Sequence, residues 1–162
     1  MTASHLGTTM FQNPEILQVI AEIAVTLTGF TAIAAVFRRR QIGWDAAERI
    51  LFLVLMRTSV IVLFLSFLPW LMGQMVSSSE MVWRISCGLY AIVQLADVSW
   101  YVKNATGKQT RGQLILAILG FVNVTCQVLA AAGLLRPIEL VFVGGLIFLM
   151  YVSVHNFVML CV

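Results

Sequence analysis

Five long apolar stretches follow one another along the chain, and short polar or charged segments separate them. A helix rises about 1.5 Å per residue, so about 20 apolar residues cross the hydrocarbon core of a bilayer. Each stretch meets that length. The pattern therefore predicts five membrane-spanning helices, at about 15–37, 48–72, 81–102, 112–135 and 138–161.

The polar segments contain signals for helix ends. Gly133 is the expected end of the fourth helix, and Pro137 suits the first turn of the fifth. Asp45 is the expected N-cap of the second helix, and Ser78 or Ser79 that of the third. Because the connections are short, neighbouring helices should be antiparallel. The predicted fold class is all-α, a polytopic membrane protein built as a bundle of five transmembrane helices with short loops.

Composition supports the membrane class. Of the 162 residues, 60% are hydrophobic and only 10% charged, and the mean hydropathy is +0.96. A soluble domain of this size needs much more polar surface. The segment before the first stretch has no Lys or Arg, so it lacks the basic region of a signal peptide. We expect the first stretch to be retained and 1–162 to form a single transmembrane domain.

Basic residues are distributed unequally between alternate loops. The predicted loops at 38–49 and 103–111 are rich in Arg and Lys, whereas the N-terminus and 73–80 have none. By the positive-inside rule, the N-terminus lies outside and the C-terminus in the cytoplasm, with the protein integral to the cell (inner) membrane. The tryptophans fit two interfacial belts, with Trp70 and Trp83 outside and Trp44 and Trp100 inside.

A carboxylate interrupts the first apolar stretch. Glu22 lies about 6 Å outward of the midpoint of the predicted helix. Ionisable groups at such depth are costly and usually face protein or a water-filled cavity. Ala24 and Thr28 belong to a row of small residues beside it, which favours close helix packing. We therefore expect a central first helix with Glu22 pointing into the bundle, paired with Arg84, Arg57 or a neighbouring subunit.

The third predicted helix has the most regular polar pattern. Its polar side chains recur at helical spacing and so share one face: Ser86, Tyr90, Gln94, Asp97 and Tyr101. This stripe is either an interhelical hydrogen-bond seam that holds the bundle together or the lining of a solute path. The opposite face should contact lipid or apolar neighbours, and it contains Leu89, Val93 and Ala96.

The other helices offer polar partners at matching depths. Arg57 and His155 fall in the inner half with Asp97, while Asn123 and Gln127 fall near the midplane or just outward of it. His155 can change charge near neutral pH, although packing through a hydrogen bond is the alternative. The predicted polar pathway or network is Glu22, Arg57, Tyr90, Gln94, Asp97, Tyr101, Asn123, Gln127 and His155.

Several chemistries are absent from the sequence. No Lys falls within a predicted helix to hold retinal, and two histidines, His5 and His155, cannot ligate haem as a pair within one subunit. The three cysteines lack metal-site spacing and are interpreted as small buried apolar residues. We expect no cofactor, no metal and no nucleic-acid partner, and we interpret the arginines at 38–40 as an orientation signal. A membrane enzyme acting on a lipid or quinone is a minor alternative.

Two functional hypotheses remain. In the first, the protein is an oligomeric channel or transporter in the lipid bilayer, a homo-oligomer because one five-helix bundle is narrow for a conduit. In the second, it is a non-catalytic membrane subunit or assembly partner whose polar seam is structural. The first is preferred because the polar residues span most of the membrane depth. A water-filled cavity around Asp97 would favour transport, and dry, mutually paired side chains would favour the subunit.

Overall fold

The computed structural model describes residues 14–41, 46–104 and 111–161, which form five helices. The helices are α1 (Pro14–Gln41), α2 (Ala46–Met75), α3 (Ser79–Asn104), α4 (Arg111–Ala131) and α5 (Ile138–Cys161). All five are long and apolar enough to cross a membrane. The predicted all-α class and the five helices are thus confirmed.

Most helix ends lie close to the expected positions. α1 continues through the three arginines to Gln41, since arginine is a good helix former. α3 begins at Ser79, and the Met81 N–H donates to Ser78 Oγ (3.5 Å), so Ser78 is its N-cap. Pro137 immediately precedes α5 and follows a cis peptide bond. Asp45, the expected cap of α2, lies outside the described residues.

α4 ends earlier than the expected residue 135, at Ala131. Gly133 adopts a left-handed conformation (φ 80°), which a residue with a Cβ rarely tolerates. The Leu134 N–H then donates to the Leu129 carbonyl (2.9 Å), and the Gly133 N–H donates to the Ala130 carbonyl (2.9 Å). This pair of bonds is the Schellman arrangement that closes a helix.

The helices pack in a defined order. α2, α3 and α5 contact one another in the middle of the bundle, α1 packs on α2 and α5, and α4 packs on α3 and α5. Fully buried side chains fill the centre, among them Leu55, Val62, Phe142 and Leu146. The expectation that α1 is central is wrong, because α1 lies at one edge of the bundle with only one face covered.

One end of the bundle is marked by an ion pair. Arg136, between α4 and α5, bonds Glu80 in the first turn of α3 (2.9 Å), and both side chains are exposed. This end is called the Glu80 end, and the opposite one the Lys103 end, after the last turn of α3. The ion pair therefore connects the start of α3 to the loop between α4 and α5.

Large apolar side chains cover the outside of the bundle. Phe64 is 71% exposed, Leu140 66% and Ile92 65%, and many similar residues lie around them. Soluble monomers rarely expose contiguous apolar surface on this scale. An apolar exterior around a bundle with polar groups inside is typical of helices that contact lipid.

Candidate functional site

The polar stripe of α3 faces the other helices. Ser86 and Tyr90 are fully buried, and Gln94 is 3% exposed. Asp97 and Tyr101, nearer the Lys103 end, are half-buried. On the opposite face Leu89 and Ala96 are exposed and Val93 is half-buried. The stripe therefore points to α2, α4 and α5.

Three polar side chains of α3 and α4 form a central cluster, defined here as Tyr90, Gln94 and Asn123. The Asn123 amide donates to the Tyr90 hydroxyl oxygen (2.8 Å) and to Gln94 Oε1 (3.1 Å). The Tyr90 hydroxyl donates in turn to the Gly145 carbonyl on α5 (2.7 Å). The central cluster thus ties three helices together through the buried Tyr90 and Gln94 and the half-buried Asn123.

A second bond to α5, this one from α4, lies one turn away. The Gln127 amide nitrogen donates to the Val141 carbonyl (2.8 Å), and the Gln127 side chain is fully buried. Gly145 makes this approach possible, since a Cβ there would collide with Gln127 Nε2 and lie 3.0 Å from Tyr90 Cζ. A glycine is therefore required at the point where α5 meets both side chains.

Towards the Lys103 end, α2 and α3 share an ion pair. Arg57 Nε lies 2.6 Å from Asp97 Oδ1, and the side chains are 34% and 18% exposed. The Arg57 guanidinium also lies 4.9 Å from the centre of the Trp100 ring, within the range of a cation–π contact. The two charges neutralise each other, which lowers the cost of keeping both away from water.

A cavity of about 340 Å³ lies beside this ion pair, between α2, α3, α4 and α5. Its walls are mostly apolar, with Leu116 and Phe148 among them. The polar side chains that line it are Thr58, Gln94, Asp97, Tyr101 and Asn156. We refer to it as the Asp97 cavity.

Two features of the Asp97 cavity are relevant to ligand binding. Thr58 is 1% exposed, and its hydroxyl has no hydrogen-bond partner among the described residues. Val102 and Phe121 line the cavity and are nevertheless more than half exposed, so the space reaches the bundle surface between α3 and α4. The arrangement can accommodate a small molecule with a polar group directed to Thr58, Gln94 or Asp97.

No protein-family model matches this chain, and neither a curated protein nor a solved structure matches it. Among the described residues, no three His, Cys, Asp or Glu side chains are grouped as a metal site would require. The geometry and chemistry of the bundle are therefore the basis for assigning a function.

His155 was expected to share a cluster with Arg57 and Asp97, and the structure places it elsewhere. Its ring stacks on Tyr151, with centroids 6.4 Å apart. The next residue, Asn156, lines the Asp97 cavity instead. Adjacent residues on a helix point about 100° apart. The prediction therefore identified the correct segment of α5 but the wrong side chain of that segment.

Glu22 also differs from expectation. Its side chain is exposed on the side of α1 that borders α2, and its carboxylate accepts a hydrogen bond from the Gln18 amide of the same helix (2.9 Å). The residues of α1 that pack inward form a different face: Leu17, Ile20, Ala21, Ala24 and Thr31. These residues form the packing seam of α1, to which Glu22 does not belong.

Arg84 has a structural partner that the sequence did not suggest. Its Nε donates to the Ala131 carbonyl (2.9 Å), and its terminal nitrogen donates to the Ala132 carbonyl (3.1 Å). These carbonyls are left free where α4 ends, and a cation is favourable there because the helix dipole is negative at its C-terminus. Arg84 therefore caps α4 instead of reaching Glu22.

Proposed function

We propose that the protein is an integral membrane protein whose five helices all cross the bilayer. Support comes from the length and hydropathy of the helices, the apolar exterior and the asymmetry of basic residues between alternate loops. In this orientation the Glu80 end is outside, the Lys103 end is cytoplasmic, and the protein resides in the cell membrane with its N-terminus outside.

The orientation predicts which loops an impermeant thiol reagent reaches. Single cysteines replace Ser78 or Lys108 in a cysteine-free variant, and intact cells are labelled. We expect position 78 to be labelled and position 108 to react only after the cells are opened. Labelling of 108 but not 78 in intact cells would show that the orientation is reversed.

Within the membrane, the proposed function is transport of a small polar solute or ion through the Asp97 cavity. The observation that supports it most is the cavity itself, because it lies inside the bundle beside an ion pair and beside a Thr58 hydroxyl that has no hydrogen-bond partner among the described residues. Polar groups inside the hydrocarbon core are costly, so they are usually retained for helix packing or for contact with a transported species. A volume of about 340 Å³ is at the small end of ligand pockets, which fits a small solute.

The order of residues along α3 suggests how such a cavity would work. From Gln94 to Tyr101 its lining covers about 10 Å of the helix axis towards the Lys103 end. On the Glu80 side, the central cluster closes the space with the Asn123 hydrogen bonds. A solute would enter from the cytoplasmic half, meet a neutral Arg57–Asp97 pair, and pass outward when the Asn123 bonds break.

A cavity-filling variant tests this proposal. The wild type, Ala117→Trp and Ala96→Trp are reconstituted into liposomes. Ala117 lines the cavity, whereas Ala96 is exposed on the opposite face of α3, so only the first tryptophan removes space. Fluxes of H⁺, Na⁺, K⁺ and Cl⁻ are followed with ion-sensitive dyes, and urea and glycerol entry by light scattering.

We expect wild-type and Ala96→Trp vesicles to pass at least one of these species, and Ala117→Trp to reduce that flux at least tenfold. If wild-type vesicles are as tight as empty ones for every species, the transport proposal fails and only the bundle remains.

The structure also contains features that favour the second candidate, a non-catalytic membrane subunit. Tyr90 and Gln127 are fully buried and donate hydrogen bonds to α5 carbonyls, as the side chains of an interhelical hydrogen-bond seam do. A tight vesicle together with reduced thermal stability of Asn123→Ala would support this function. The homo-oligomer and the absence of enzymatic activity stay predictions.

A further inference from the structure

An open groove of about 800 Å³ runs along the bundle surface between α1 and α2. Apolar residues such as Leu17 and Leu63 form much of its wall. Its polar and aromatic lining consists of Gln18, Glu22 and Thr26 from α1 and Ser66, Phe67 and Trp70 from α2. We call it the α1–α2 groove. It lies on a different face of the bundle from the Asp97 cavity and shares no lining residue with it.

The carboxylate that lines this groove is that of Glu22. Glu22 accepts a hydrogen bond from the Gln18 amide, and no Lys, Arg or His of the described residues forms an ion pair with it. Thr26 cannot serve as a second donor to the carboxylate, since its hydroxyl donates to the Glu22 backbone carbonyl (2.8 Å). One neutral amide is a poor substitute for the hydration that a carboxylate loses in lipid.

Depth excludes a lipid headgroup as the missing partner. The apolar part of α1 that would span the membrane is Glu15–Ile33. Glu22 lies only about 3 Å from the centre of that segment along the helix axis. Headgroups lie at least about 15 Å from the bilayer centre, so their ammonium groups do not reach this carboxylate. A cation at this depth has to belong to a side chain of a membrane-spanning helix.

Among the described residues, the two arginines that lie well inside the apolar spans are engaged elsewhere. Arg57 is paired with Asp97, and Arg84 is bonded to the end of α4. A second copy docked on the same groove would bring another Glu22 and add like charge. Charge complementarity therefore favours a different protein as the occupant.

We propose that the α1–α2 groove binds a transmembrane helix of another protein, which carries an Arg or Lys at the depth of Glu22. Phe67 (55% exposed) and Trp70 (59% exposed) supply aromatic surface along the same groove for the aliphatic stem and charge of that side chain. Ser66, almost fully buried, bonds its own helix through Val62, so Glu22 is the main recognition group. The proposal rests on the membrane insertion of the five helices proposed above and does not depend on transport through the Asp97 cavity.

The test uses synthetic transmembrane peptides. Donor-labelled full-length protein and acceptor-labelled leucine-rich peptides of about 23 residues are mixed in phosphatidylcholine vesicles, and association is measured by energy transfer. The peptides share their flanks and differ only at the central residue, which is Arg, Gln or Leu. The protein is the wild type, Glu22→Gln or the matched control Glu15→Gln, an exposed carboxylate of the same helix two turns away.

We expect the Arg peptide to bind the wild type and Glu15→Gln about tenfold more tightly than the Leu peptide. Glu22→Gln should remove most of that preference without altering the circular dichroism of the protein. Equal binding of the Arg and Leu peptides to the wild type would overturn the proposal. Self-association that Glu22→Gln abolishes, with no preference for Arg, would also overturn it and identify a second copy as the occupant.

Discussion

Replacement of Asp97 by Leu is expected to destabilise the protein by about 3 kcal/mol, because Arg57 then keeps its charge inside the bundle without its partner. Stacking on Trp100 offsets only part of that loss, since a cation–π contact contributes about 1 kcal/mol. Val93→Ala, a half-buried position on the same helix, should cost much less. Thermal unfolding in mild detergent measures all three proteins.

The double variant Arg57→Met with Asp97→Leu shows whether the loss of stability comes from the unpaired charge or from the changed shape of the side chain. Removing both charges should restore stability to near the wild-type value, because apolar side chains of similar volume often replace a buried ion pair without loss. Under the transport proposal the same folded protein should conduct poorly, since the cavity has lost its charged lining. If the double variant is as unstable as Asp97→Leu alone, the ion pair is not the source of the effect.

Two adjacent glycines of α5 should respond in opposite ways to alanine. Alanine is the better helix former by about 1 kcal/mol, so Gly144→Ala, where a Cβ meets nothing within 4 Å, should be neutral or stabilising. At Gly145 the new methyl group would displace Gln127 and Tyr90 and break their bonds to Val141 and Gly145. We expect a net destabilisation of about 2–3 kcal/mol there.

The pair of variants is its own control, since both changes add one methyl group to the same turn of helix. Midpoints of thermal unfolding should differ by several degrees, with Gly145→Ala the lower. Adding Gln127→Ala to Gly145→Ala removes the closest obstacle and should recover part of the difference. Equal midpoints for the two single variants would show that α5 does not approach Gln127 and Tyr90 as closely as described.

The sequence predicted the helices well because each signal was local. A run of about 20 apolar residues identifies a span, and Gly133 and Ser78 mark ends through the conformation or hydrogen bond that each supplies. The orientation of α3 was also predictable. Its polar groups occupy one face and so indicate which side turns to protein.

The rotation of α1 and α5 was not predictable in the same way. Both are apolar on nearly all sides, and lipid and protein interior favour the same residues, so hydrophobic periodicity does not distinguish the two faces. A single polar residue is then weak evidence. For this reason Glu22 is exposed instead of pointing into the bundle, and Asn156 lines the cavity instead of its neighbour His155. The Arg84 bonds were not predictable either, because they depend on how α4 ends, about 47 positions further along the chain.

The unequal lengths of the helices have a consequence for the surrounding lipid. The apolar part of α2, Arg49–Met75, is about 40 Å long, whereas that of α4, Leu114–Ala131, is about 27 Å. Under the proposed insertion, α2 fits a hydrocarbon core of about 30 Å by tilting, and the bilayer beside α4 becomes thinner. The apolar part of α1, Glu15–Ile33, is also short, about 28 Å, so the two edge helices are shorter than α2 in the middle of the bundle. Under the proposed insertion, bilayers with shorter acyl chains match the edge helices best, and in thicker ones the lipid strain is concentrated beside α1 and α4.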